Sequence, residues 1–119
     1  MQPTLLLTTL LAALAAAAPT DLSTRQTRTL RVQLSRDATE TAVQRNIPAN
    51  GSRVSIRANF AGLGRPVQAN RALIVGAGTG RCDIFSDAGA TRRVARIVAG
   101  GRDVNFGNTN LDSGVIVCR

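Results

Sequence analysis

The sequence predicts an all-β fold: a small β-sandwich of seven or eight short strands, preceded by a signal peptide. Three observations carry that reading. Apolar and polar residues alternate with a period of two in two clear stretches, turn-forming clusters separate short Val/Ile-rich runs, and no apolar helical face extends beyond two turns. A period of two sends successive side chains to opposite sides of a strand, so alternation means one buried face and one wet face.

Residues 1–17 read as an export signal. Leu5–Leu14 is an uncharged apolar core, too short to serve comfortably as a membrane anchor, and Ala15 and Ala17 fit a small-x-small cleavage pattern. Pro19 and the polar tract behind it end the segment. Residues 18–28 form a flexible leader, and residues 29–119 make a single domain, large enough for one core.

In that domain Leu30, Val32 and Leu34 alternate with Arg31, Gln33 and Ser35, the pattern of a half-buried strand. Thr41–Ile47 is β-branched, and Pro48–Gly51 is a turn signal. Val54, Ile56, Ala58 and Phe60 alternate with Arg53, Ser55, Arg57 and Asn59 and predict another strand. Ala72–Val75 precedes a Gly76–Gly80 loop, and Cys82–Phe85 precedes a turn at Asp87–Gly89. Thr91–Ala99 is Val/Ile-rich; it is also the one stretch where a helix fits, with Arg92, Arg93 and Arg96 along one side. Val104–Phe106 is short. Val115–Cys118 is continuously apolar and predicts a central strand covered on both faces. No internal repeat is visible in the sequence.

Composition limits the chemistry. There is no His, Lys, Trp or Tyr, and one Glu, Glu40. Ser-His and Cys-His nucleophile pairs are therefore impossible, and nothing presents the two placed carboxyls of a glycosidase. Phe60, Phe85 and Phe106 are the only aromatic residues, each expected at a buried strand position rather than as a sugar platform. No catalytic, cofactor-binding or metal-binding residue is assigned, and the expectation is a protein that is not an enzyme. Cys82 and Cys118, in an exported chain, predict a disulfide.

The net charge is +8 and every basic residue is Arg. The guanidinium fork suits carboxylates and phosphates, so Arg31, Arg53, Arg57, Arg92, Arg93 and Arg96 are candidate contacts for an anionic partner. GC-rich coding and solubility explain the same content without any function. Asn50-Gly-Ser52 is a possible N-glycosylation site in a surface turn. Gly76–Gly80 lacks the Lys and spacing of a phosphate loop. Arg28-Thr-Leu-Arg31 matches an R-x-L-R host-uptake motif, but Leu30 belongs to a strand's inner face. Asp83, Asp87, Asp103 and Asp112, with Asn105, Asn108 and Asn110, could supply oxygen ligands for calcium, without the carboxylate density or closing Glu such loops use.

Leu30-Arg-Val-Gln-Leu34, Asn46-Ile-Pro-Ala-Asn-Gly51, Arg81-Cys82-Asp-Ile84 and Val115-Ile-Val-Cys118 occur in an order that resembles small secreted effector-like proteins of filamentous ascomycete fungi, of the single-disulfide β-sandwich type. Asn50 departs from that pattern. The resemblance implies a secreted, extracellular virulence-type protein, in the host apoplast or entering host cells, that binds a host component to promote colonisation or suppress immunity. The partner is then a host protein or an anionic cell-wall or membrane component; nucleic acid is not expected without base-stacking aromatics, nor is a transmembrane anchor. The alternative is a cationic antimicrobial or toxin acting on anionic microbial surfaces. If residues 1–17 direct export, amino-terminal sequencing of the secreted protein begins near Ala18, whereas retention of Met1 overturns the export signal.

Overall fold

The computed structural model describes residues 28–76 and 78–119; the expected signal peptide and residues 18–27 of the leader lie outside the described residues. Eight strands are present among the described residues: β1 Thr29–Arg36, β2 Thr41–Pro48, β3 Arg53–Ser55, β4 Gln68–Val75, β5 Arg81–Phe85, β6 Arg93–Val98, β7 Val104–Asn110 and β8 Val115–Cys118. They form two four-stranded antiparallel sheets, ordered β2-β1-β4-β7 and β3-β8-β5-β6. Among the described residues no helix is long and apolar enough to cross a membrane.

The two orders are related. Adding four to each strand number of the first sheet, and counting past eight as starting again, gives β6-β5-β8-β3, which is the second sheet. The chain is thus two four-strand halves of like path, each lending its third strand to the edge of the other's sheet. This repeat exists in topology although none is visible in the sequence.

The alternation in β1 does what it predicts: Leu30, Val32 and Leu34 are buried and Arg31 is exposed. Facing them across the sandwich are Ile84 of β5, Ile97 of β6 and Ile116 of β8, all in one buried cluster with Ile47, Ala72 and Ile74. Each fully buried aliphatic side chain of this kind stabilises the fold by roughly 1.5–3 kcal/mol before the entropic cost of ordering.

Three stretches differ from expectation. The alternating run from Arg53 stops being a strand at Ser55, and Ile56–Asn59 forms one helical turn, α1. The Ser55 hydroxyl accepts from the Ala58 amide at 3.2 Å, capping the turn. A 3-10 turn follows at Ala61–Leu63. Ile56, Phe60 and Leu63 are all buried, at spacings of i, i+4 and i+7. Four residues is both two strand repeats and one helical turn, so the Ile56/Phe60 spacing fits either, and the serine cap decides. Thr91–Ala99 resolves in favour of a strand, β6. β4 and β7 are longer than the predicted runs because polar residues, Gln68–Arg71 and Gly107–Asn110, extend them.

β8 is an interior strand, as its apolar run predicts, and all four of its residues are buried. Its last residue lies opposite the second residue of β5, and there Cys82 and Cys118 are joined by a disulfide with their Cα atoms 4.0 Å apart. Reading the bond as a constraint on the unfolded chain, its 36-residue separation corresponds to about 4 kcal/mol of stability. The Cys82→Ser/Cys118→Ser protein is therefore expected to melt roughly 15–30 °C lower by calorimetry, and an unchanged melting temperature would contradict this role.

Candidate functional site

Register places the outward residues of the second sheet in rows. Arg53, Val117, Asp83 and Arg96 are successive cross-strand neighbours on β3, β8, β5 and β6. In the next row Ser55, Val115, Phe85 and Arg93 follow one another in the same way. Beyond the disulfide, Arg81 and Arg119 exchange backbone hydrogen bonds of 2.9 and 2.8 Å, with Val98 opposite Arg81. One sheet face therefore carries Arg53, Arg81, Arg93, Arg96 and Arg119 against a single acid, Asp83. Its middle is apolar: Val115 and Val117 point away from the core yet are only 7% and 8% exposed.

Strict alternation would send Arg93 and Arg96, three residues apart, to opposite faces. A β-bulge at Val94 prevents this, since Arg93 pairs with Phe85 while Ala95 pairs with Ile84. The extra residue turns both guanidiniums onto the outer face, over Asp83. The Arg96 Nε–H donates to Asp83 Oδ1 at 2.7 Å, and the Arg93 guanidinium lies 3.7 Å from the same oxygen. The Asp83 side chain is only 14% exposed, so this carboxylate is enclosed by the cations it orients. Its hydrogen bond raises the pKa of Arg96 above the ordinary value, holding the guanidinium protonated.

The first sheet presents a different outer face. Arg31 donates to Gln44 Oε1 at 3.0 Å and to Asn46 Oδ1 at 3.1 Å, and the Gln44 amide donates to Gln33 Oε1 at 2.8 Å. Arg71 is bonded to Asp37 at 2.6 Å and lies 3.4 Å from Asp103. That face is an amide ladder with its cations already engaged.

At one corner of the arginine-bearing face, Gly80, Arg81, Arg96, Val98 and Arg119 line an open groove of about 630 Å³. Val98 is half exposed, the only large apolar residue so exposed among the described residues. Gly80 forms part of the groove wall at φ 135°, and a Cβ there would come within 2.9 Å of both the Arg119 carbonyl oxygen and Leu30 Cδ1. Only glycine fits.

The six candidate contacts are thus divided. Arg53, Arg93 and Arg96 share one face; Arg31 lies on the opposite sheet. Arg57 sits on α1 rather than on a strand and pairs with Asp112 at 3.6 Å. Arg92 is exposed in the turn before β6. Arg81 and Arg119 were not among the expected contacts, although each adjoins an inward cysteine and so must point outward. Of the aromatics, Phe60 is buried but off-strand, Phe106 is partly buried at the core's edge, and Phe85 lies part-exposed on the arginine face. Asn50 is exposed, and its side-chain oxygen accepts from the Ser52 amide at 3.0 Å and hydroxyl at 2.6 Å. The Asn/Asp stretch is occupied by its own turns: Asn110 accepts from the Asp112 amide at 2.9 Å, and Asp112 from the Val67 amide at 3.1 Å. Among the described residues no three His, Cys, Asp or Glu side chains converge as metal ligands. Neither family models, nor curated proteins, nor solved structures match the chain.

The turn that carries Arg92 is tied by Asp87. Its carboxylate accepts from the Thr91 hydroxyl, from the Arg92 amide at 2.8 Å and from the Thr91 amide at 3.0 Å. These bonds, the Thr91 hydroxyl first, hold its pKa below the ordinary 3.8. A lowered folded-state pKa means the stabilisation is complete above the unfolded value and is lost as pH falls through the folded one. The difference in melting temperature between the native protein and Asp87→Ala should therefore be present near neutral pH and shrink towards zero in acid well below pH 3.8. A difference that grows on acidification would contradict this.

Proposed function

We propose that this chain is a non-enzymatic binding protein that engages an anionic partner through the outer face of its second sheet. The observation that supports it is the segregation of charge: five arginines and one acid on that face, against an amide ladder holding Arg31 and an acid-paired Arg71 on the other. Codon bias and solubility alone would scatter arginine over both. A pattern with one sign on one face directs encounter with oppositely charged surfaces and sets orientation on contact. With the resemblance to effector-like proteins, the reading becomes a secreted protein of fungal type that binds an anionic host component during colonisation.

A second reading rests on Val98. A half-exposed apolar residue beside Arg81 and Arg96 is the kind of contact an agent acting on anionic microbial membranes would use. One exposed valine is a small wedge, which favours the first reading. Dye leakage from anionic vesicles supports the second; retention on an immobilised polyanion without leakage supports the first.

The test of the shared premise is elution from a heparin column. Shortening the Debye length from about 10 Å to about 3 Å, between 0.1 and 1 M salt, should release the native protein. Replacing Arg53, Arg81, Arg93, Arg96 and Arg119 with Gln should move elution to much lower salt, while Arg31→Gln and Arg71→Gln together should move it little. Equal shifts per arginine removed from the two faces would show that net charge alone governs retention.

A further inference from the structure

We infer that the groove between Arg81, Arg96 and Arg119 is a site for a tetrahedral oxyanion, a phosphate or sulfate ester group, carried on a compact body that packs over Val98. This rests on the anionic-partner reading and names the chemistry that one corner of that face would accept.

Three arginines are among the residues lining one open groove of about 630 Å³, a volume in the small-molecule range. A carboxylate has two oxygens, and a single guanidinium fork engages both. A tetrahedral oxyanion offers three free oxygens even when esterified, and so can employ several forks at once. One of the three arginines has its guanidinium held in place by a bond the ligand does not need. Arg96 is oriented through Nε by Asp83 at 2.7 Å, which leaves both terminal nitrogens free to donate. The backbones of Arg81 and Arg119 are set side by side by their mutual hydrogen bonds, next to the disulfide. A donor positioned beforehand, as at Arg96, loses less freedom on binding than one on an unheld side chain. The apolar wall at Val98 and the side-chain-free backbone at Gly80 leave room for the body that bears the ester.

The experiment is an NMR titration of the secreted, disulfide-bonded protein at constant ionic strength with inorganic phosphate, sulfate and acetate. Saturable shifts of the Gly80, Arg81, Val98 and Arg119 amides with phosphate and sulfate, and weaker effects with acetate, are expected. Arg81→Gln/Arg119→Gln should weaken phosphate binding roughly tenfold or more, and Arg53→Gln, on the same face outside the groove, less than about threefold. Arg81→Lys/Arg119→Lys keeps the charge and loses the forks. It should retain heparin binding while losing the preference for phosphate over acetate, with a dispersed amide spectrum showing that it is folded. Glucose 6-phosphate and phosphatidylcholine vesicles containing phosphatidate present the ester free and on a lipid; tighter binding to either identifies the source. Equal binding of acetate and phosphate, or equal losses from Arg53→Gln and the groove variant, overturns the proposal. If heparin retention persists in that case, the anionic-partner reading survives it; if retention is also absent, both fall.

Discussion

The covalent bridge between β5 and β8 is the constraint from which the arginine-bearing half of the molecule follows. The two sheets are unequal. Strands of the first run to eight, eight, eight and seven residues, whereas those of the second have three, four, five and six. Short strands make few ladder hydrogen bonds and bury little surface, so the second sheet is the weaker layer. Its two interior strands are the pair that the disulfide joins, and β3 and β6 build outward from them. In the first sheet the corresponding strands, β1 and β4, oppose Val32 to Ile74, both buried, and length does there what a covalent bond does in the second.

The same bridge sets the chemistry of the outer face. Cysteines that point inward oblige their neighbours to point outward, so Arg81 and Arg119 meet on the surface as a direct result of Cys82 and Cys118 meeting beneath it. Most of the acids lie at the other end of the sandwich. Asp37, Glu40, Asp87 and Asp112 belong to the turns at the far ends of β1, β5 and β7, where the Asp87 and Asp112 carboxylates accept from backbone amides and that of Asp37 from the Asn70 and Arg71 side chains. Carboxylates close turns at one end, and the other end, with the second sheet's face, is left cationic. Among the described residues Asp83 and Asp103 are the exceptions: Asp83 aims two arginines, and Asp103 lies 3.4 Å from Arg71.

Much of the fold could be read from the sequence because alternation reports directly on burial. Leu30, Val32 and Leu34, and the unbroken Val115–Cys118 run, show the inner face of one sheet and the centre of the other. The helical turn at Ile56–Asn59 was hidden because Ile56 and Phe60 satisfy both periods, and only Ser55 carried the contrary signal. The pairing of strands between halves depends on contacts far apart in the sequence and leaves no local trace. The site was legible in part. Arg53, Arg93 and Arg96 could be named as exposed, but their common face depends on a bulge at Val94 that alternation alone argues against. Arg81 and Arg119 could have been placed by following the parity of the cysteines one residue outward.

The exchange of third strands governs when this chain can fold. β8 is the last strand in order, and both β3, some sixty residues earlier, and β5 lean on it. The second sheet has no interior until Val115–Cys118 is available, so β3 must wait, unpaired, while most of the domain is being synthesised. Pairings this distant in sequence form slowly. A nascent chain of this design cannot complete its second sheet until the last strand has been made.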